Sequence, residues 1–242
     1  MKRIFTLTLA FIACSMTAQT KLLPGDKTIE TKWIKSEKYA MNWYAMKDTA
    51  KFEIAKIITT VNPTKKDLTI ITDVEIKNAK VKWVDSTIVA MPSLAPVYHS
   101  SFNMQRDIVL KYGKTVTGYH TAKGKEKENI SETLTDPCFD SSFYPYLLRL
   151  LPLKEGYTKE IAIFDYNPQK TGLFTASVKS VKSDTCKTKK GKLEVWAVTV
   201  ADEIGGSATN TVTYYIGKTD RKLWKQEFSA RGQHFVMEVS EL

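Results

Sequence analysis

Asp136-Pro137-Cys138-Phe139-Asp140-Ser141-Ser142-Phe143-Tyr144-Pro145-Tyr146-Leu147-Leu148-Arg149-Leu150-Leu151-Pro152-Leu153 is the one stretch of this chain that reads as a helix among strands. Its spacing predicts a helix over 142–151. Phe143, Leu147, Leu150 and Leu151 fall at i, i+4, i+7 and i+8, a single apolar stripe. Tyr144 and Leu148 widen the stripe, and Arg149 is its one charge. Ser141 or Ser142 is placed to cap the start, its hydroxyl accepting from a free backbone N–H. Pro145 falls in the first turn, where a missing N–H costs little, and Pro152 stops the helix. A helix this apolar must be buried, and the rest of the chain offers a sheet to bury it against.

On both sides of this stretch the sequence alternates with the period of two that marks half-buried strands. Residues 68–76 are the clearest case, with Leu68, Ile70, Val74 and Ile76 on one face and Thr69, Asp73 and Glu75 on the other. Before the helix, further strands are expected over 39–46, 52–61, 81–90, 102–112, 115–122 and 127–133, with a short one at 31–35. After it, strands are expected over 157–164, 173–181, 193–200, 211–216, 223–228 and 234–239. Residues 91–96 carry two prolines and read as a covering loop, and 183–192 as a loop containing Cys186. Gly205-Gly206-Ser207 and Gly217-Lys218-Thr219-Asp220-Arg221 read as turns. Strands joined by turns this short form a meander. The expected architecture is mainly β: a curved antiparallel sheet, open barrel or sandwich-like, packed on one central helix.

The first nineteen residues read as a secretory signal: Lys2-Arg3, an apolar run from Ile4 to Ile12, then small and polar residues with cleavage beside Ala18 or Gln19. The second reading is a lipobox at Phe11-Ile12-Ala13-Cys14, with a lipid anchor on Cys14. Both place the mature domain, 20–242, outside the cytoplasm, in the periplasm or outer envelope. Export excludes nucleic acid as a partner. The formal charge of +10 becomes +8 without Lys2 and Arg3. A basic exported domain can make peripheral contact with anionic lipid headgroups, or its lysines can simply guard turns and strand edges. An oxidising compartment permits a disulfide between Cys138 and Cys186; two unpaired thiols are the other reading.

No catalytic or metal constellation stands out. His99, His120 and His234 lie far apart and lack ligand spacing. His99-Ser100 cannot act as a local nucleophile–base pair, because neighbours on an extended chain point opposite ways. No cofactor motif is present, and the sequence reads as non-enzymatic. The tryptophans either fill the core or line a cavity for an apolar ligand. The residues expected to line it are Trp83, Phe143, Leu147, Leu150, Leu151, Trp196 and Trp224.

The C-terminal half resembles a family of uncharacterised exported proteins of Gram-negative bacteria. The likeness rests on Tyr146-Leu147-Leu148-Arg149-Leu150-Leu151-Pro152-Leu153-Lys154-Glu155-Gly156-Tyr157, on Val195-Trp196-Ala197-Val198, and on Tyr214-Tyr215-Ile216-Gly217-Lys218-Thr219-Asp220-Arg221-Lys222-Leu223-Trp224-Lys225-Gln226. Related periplasmic folds, including the lipoprotein carriers LolA and LolB, are open barrels with helix on the concave face of one curved sheet. The resemblance implies that fold and an apolar or amphipathic ligand, lipid among them, held on the concave side. The alternative is a structural module with a filled core that recruits an envelope protein.

Overall fold

The computed structural model of the protein describes residues 21–79, 82–188, 191–204 and 211–240. The signal segment 1–19, Cys14 and the turn at 205–207 lie outside these residues. The described chain is mainly β: one large, curved, unclosed antiparallel sheet around a single short helix.

Eight strands precede the helix: β1 (Glu37–Lys47), β2 (Ala50–Pro63), β3 (Asp67–Ile76), β4 (Trp83–Ala90), β5 (Ala95–Phe102), β6 (Arg106–Lys111), β7 (Thr115–Ala122) and β8 (Glu128–Thr133). A two-residue strand, β9 (Phe139–Asp140), leads into the helix α1 (Tyr144–Leu147), which tightens into a 3-10 turn at Leu148–Leu150. Six strands follow: β10 (Lys159–Asp165), β11 (Gly172–Thr188), β12 (Gly191–Asp202), β13 (Thr211–Gly217), β14 (Leu223–Ala230) and β15 (Gln233–Ser240). Each half is the expected meander. The halves join where the first strand pairs with the last, Trp43 opposite Met237, so β8 and β9 form the free edges. One pairing departs from the antiparallel rule, β9 running parallel to β10.

The helix sits where its stripe demands. Phe143, Leu147, Leu150 and Leu151 are all buried in one cluster with Val61, Leu68 and Val89 of the first half and Val181, Val198 and Ile216 of the second. Full burial of each leucine contributes about 1.5–3 kcal/mol. The start differs from expectation. Phe143 occupies the cap position and no side chain caps it; carboxylates hold the Ser141 hydroxyl and the Ser142 backbone instead. Ser141 Oγ donates to Asp165, and the Ser142 N–H donates to Asp140.

Register shows how the sheet rolls. Directly paired residues project to one face. The cluster residues Val61 and Leu68 therefore share their face with Glu37, Val89, His99 and Leu110, reached row by row through β1–β6. At the other end, Ile161 and Ile163 of β10 turn inward to the helix cluster, while Ala162 and Phe164 pack outward in a second cluster. That second cluster contains Ile108, Leu110, Val116 and Ile130, which belong to the inner face of β6–β8. The sheet is thus a scroll: its β9–β10 end lies beneath the inner face of its β5–β8 end. The N-terminal arm is tied into the same end, Leu22 bridging to Ile161 with its N–H donated to the Glu160 carbonyl at 2.7 Å.

Several local expectations change. Residues 102–112 are not one strand: β5 ends at Phe102 and β6 starts at Arg106. Asn103 closes the turn, its side-chain carbonyl accepting from the N–H groups of Gln105 and Arg106 at 2.9 and 3.0 Å. The loop expected at 91–96 is shorter, with β5 already begun at Ala95. Thr31–Trp33 is a 3-10 turn rather than a strand. Most of the loop expected at 183–192 is instead strand, β11 reaching Thr188 and β12 starting at Gly191, with Cys186 opposite Leu193.

The Cys138–Cys186 bridge does not form; both thiols are free and buried. Cys138 lies in the second cluster, just before β9. Beside β9, Ile163 of β10 pairs with Phe174 of β11, and Cys186 lies 12 residues further along β11. That separation is about 40 Å of strand. Burial and the neighbouring Asp140 and Asp136 carboxylates push the Cys138 thiol up to about 12.

Candidate functional site

The seven residues expected to line an apolar cavity divide between the helix core and the sheet. Phe143, Leu147, Leu150 and Leu151 are core. Trp196 is partly buried at the margin of that core, with Lys218 Nζ 4.6 Å from its ring centre. Trp224 turns to the β13–β14 turn, its indole N–H donated to Asp220 at 3.2 Å. Trp43, Phe228 and Phe235 pack on one another, with ring centres 5.1–6.4 Å apart. Trp83 borders two recesses, a shallow one of about 280 Å³ beside β3 and a smaller one whose lining mixes carboxylates, hydroxyls and aromatic rings.

This cavity lies in the seam where the scroll overlaps itself and holds about 110 Å³. From above it is lined by the inner faces of β4–β6: Trp83 and Asp85, His99 and Ser101, Arg106 and Ile108. From below come Asp140, Ser141, Asp165 and Tyr166, at the β9–β10 edge. Alternation explains the upper wall. Asp85 pairs with Ser101 and Thr87 with His99, so the four side chains form two adjacent rows on one face.

The carboxylates are held individually. Asp140, 1% exposed, accepts from the Ser142 N–H at 2.8 Å and from the Tyr112 hydroxyl. His99 Nδ1 stands 3.7 Å from Asp140 Oδ1 and 3.2 Å from the Thr87 hydroxyl. Asp165 Oδ1 accepts from Ser141 at 2.6 Å, and Asp85 Oδ1 from the Trp83 indole at 2.9 Å. Burial raises the Asp165 pKa; the Ser141 hydrogen bond opposes this, Asp140 reinforces it, and His99 and Arg106 oppose it. Burial, then the Asp140 carboxylate, raises Tyr112 well above the usual phenol value.

Two groups are left over. Ser101 is 4% exposed, and its hydroxyl has no partner among the described residues. Arg106 Nη1 is buried without a hydrogen bond. Ser101 Oγ keeps access to the recess, where water or a ligand group can supply its partner. Ser101 makes no hydrogen bond to His99 among the described residues, so the contact that would activate a serine nucleophile is not formed. No group of three or more His, Cys, Asp or Glu among the described residues is arranged to hold a metal ion. The arrangement suits binding: acceptors in a small recess with an aromatic wall.

These residues escaped the sequence reading for a definable reason. His99 and Ser100 do point opposite ways, but His99 and Ser101 share a face, as do Trp83, Asp85 and Thr87. Alternation names that face; nothing local says that Asp140 and Asp165 arrive opposite it.

Residues 38–240 match a family described as protein of unknown function (DUF3108). No curated protein and no solved structure matches the chain.

Proposed function

The chain belongs to the DUF3108 family, whose match runs from β1 to β15, and we propose that it is a non-enzymatic binding protein of the cell envelope that holds the polar end of an amphipathic ligand in the seam cavity. The acceptors that line this cavity together, the Ser101 hydroxyl and the Asp85 and Asp165 carboxylates, carry this reading. The packing supports a polar rather than a wholly apolar group at the concave face, because the helix stripe is in contact with sheet residues on both sides. Size points the same way. About 110 Å³ accommodates a group of a few heavy atoms, whereas pockets that enclose a drug-sized ligand run to roughly 300–1,000 Å³.

The envelope location rests on the signal-like segment 1–19, and mass analysis of the mature N-terminus tests it. Cleavage beside Ala18–Gln19 is expected, a lipidated Cys14 is the other exported form, and an intact Met1 overturns export. Calorimetric titration with ethanolamine and with glycerol tests binding. Saturable binding of either, lost in Ser101→Val with the fold retained, is expected. Binding of a fluorescent fatty acid that neither solute displaces would overturn the polar reading. The same packing favours a second reading, a filled module that recruits an envelope partner; it stands if the parent protein binds no solute and no probe.

A further inference from the structure

We propose that the end of the scroll at which the seam cavity opens docks on a lipid bilayer whose headgroups carry a primary ammonium, with that ammonium received by the cavity. The inference rests on the reading of the cavity as a site for a polar head, and it adds the ligand class and the surface that delivers it.

Turns of an antiparallel sheet alternate between its two ends. The β1–β2, β3–β4, β5–β6 and β10–β11 turns therefore share one end, and the cavity's lining comes from that end: Trp83 opens β4, Arg106 opens β6, and Asp165 closes β10. Five large apolar side chains are exposed among the described residues, and four of them, Phe52, Phe102, Met104 and Leu173, stand at this same end. Phe102 and Met104 flank Asn103 in the turn between Ser101 and Arg106, both cavity residues. Leu173 begins the strand that returns from Tyr166, another of them. Val97, the fifth, lies towards the opposite end of β5. Apolar tips around a polar opening are what an interfacial surface requires, since the tips enter the acyl boundary while the opening stays at headgroup depth. Lys82, Lys123 and Lys170 are exposed on the β3–β4, β7–β8 and β10–β11 turns of this end and suit phosphate groups at that depth.

The chemistry of the cavity selects the headgroup. Asp85, Asp140 and Asp165 outnumber Arg106 as charges. Trp83 occupies one oxygen of Asp85, and Ser141 one oxygen of Asp165; the second oxygen of each accepts no hydrogen bond among the described residues. With Ser101 Oγ these make three acceptors, the number that one primary ammonium can satisfy with its three N–H groups. A quaternary ammonium has no N–H to offer and carries three methyl groups into a recess of about 110 Å³.

Co-sedimentation of the full domain with phosphatidylcholine vesicles, with and without phosphatidylethanolamine, tests the proposal. The parent protein is expected to bind the mixed vesicles several-fold better than phosphatidylcholine alone. Phe102→Ser/Met104→Ser/Leu173→Ser should reduce binding to both by about tenfold, and Val97→Ser should leave it unchanged. Asp85→Asn should bring binding of the mixed vesicles down to the level of phosphatidylcholine alone. Circular dichroism of each variant confirms that it folds. Equal binding to both vesicle types, or binding unaffected by the triple substitution, overturns the proposal. Titration with soluble ethanolamine separates the two failures. Ethanolamine bound and vesicles ignored overturns docking and leaves the cavity reading intact; ethanolamine, glycerol and vesicles all unbound overturns both.

Discussion

Replacing Arg149 by Met should be among the most destabilising single changes in this chain. The residue lies in the 3-10 turn that ends the helix, on the side away from the apolar stripe, and is 2% exposed. Its Nη1 is 2.6 Å from Glu37 Oε1, and Glu37 is itself buried to 8% side-chain exposure. The angles are those of an ion pair rather than an aligned hydrogen bond, so the contact is electrostatic. Nε donates to the Arg221 carbonyl at 2.6 Å, and the guanidinium lies 4.6 Å from the Tyr146 ring centre. Burial pulls the Arg149 pKa down, but Glu37 and the neighbouring tyrosines offset this and leave it raised. Met fills similar space without the charge and strands the Glu37 carboxylate in the interior. Breaking a buried pair in this way costs about 3–5 kcal/mol. For a domain of this size each kcal/mol lowers the melting temperature by about 2–4 °C, a total of about 6–20 °C. Arg149→Met/Glu37→Met should recover most of the loss, because no unpaired charge remains. Urea unfolding of parent, single and double variants measures both steps. A single-variant loss below about 1 kcal/mol, or a double variant less stable than the single, refutes the assignment of this pair as a buried, mutually dependent contact.

Leu147→Ala should cost about 2–5 kcal/mol by urea unfolding, because the side chain is fully buried against both halves of the sheet and leaves a cavity. Cys138 and Cys186 should resist thiol labelling in the folded protein and react equally with and without reductant once it is unfolded. Asp165→Asn should gain stability relative to the parent as pH rises above about 4. The folded-state pKa of Asp165 is raised, so the native form binds more protons than the unfolded chain just above the unfolded value, and the parent loses stability through that window. Denaturation at pH 4 and pH 7 reads the difference, and a pH-independent gap between variant and parent would count against a buried, desolvated carboxyl.

The strand-rich meander and the single buried helix were legible because both are written in short-range terms. Alternation over 68–76 places Leu68 and Val74 inward, and the spacing of Phe143, Leu147, Leu150 and Leu151 makes one stripe; each needs only the backbone's own period. Asn103 was a readable turn signal between β5 and β6, an Asx side chain two and three residues before free N–H groups. Without it, His99 and Ser101 lose their place on a separate strand and the upper wall of the cavity disappears from view. The serines before the helix looked like caps for the same local reason; Asp165 claims the Ser141 hydroxyl from β10, while Asp140 takes the Ser142 N–H from two residues away.

By itself, then, the sequence determined which residues pair with a face and where the chain turns, since sterics and hydrogen bonding within a few residues suffice for that. The tertiary structure alone decided what each face meets. β10 shows the difference: Ile161 and Ile163 bury against the helix while Ala162 and Phe164 bury against β6–β8, because twist accumulated over fifteen strands brings one end of the sheet under the other. Twist adds a few tens of degrees per strand and leaves no mark on any single strand's composition. The seam cavity follows from that accumulated rotation, which is a property of the whole sheet and of no segment within it.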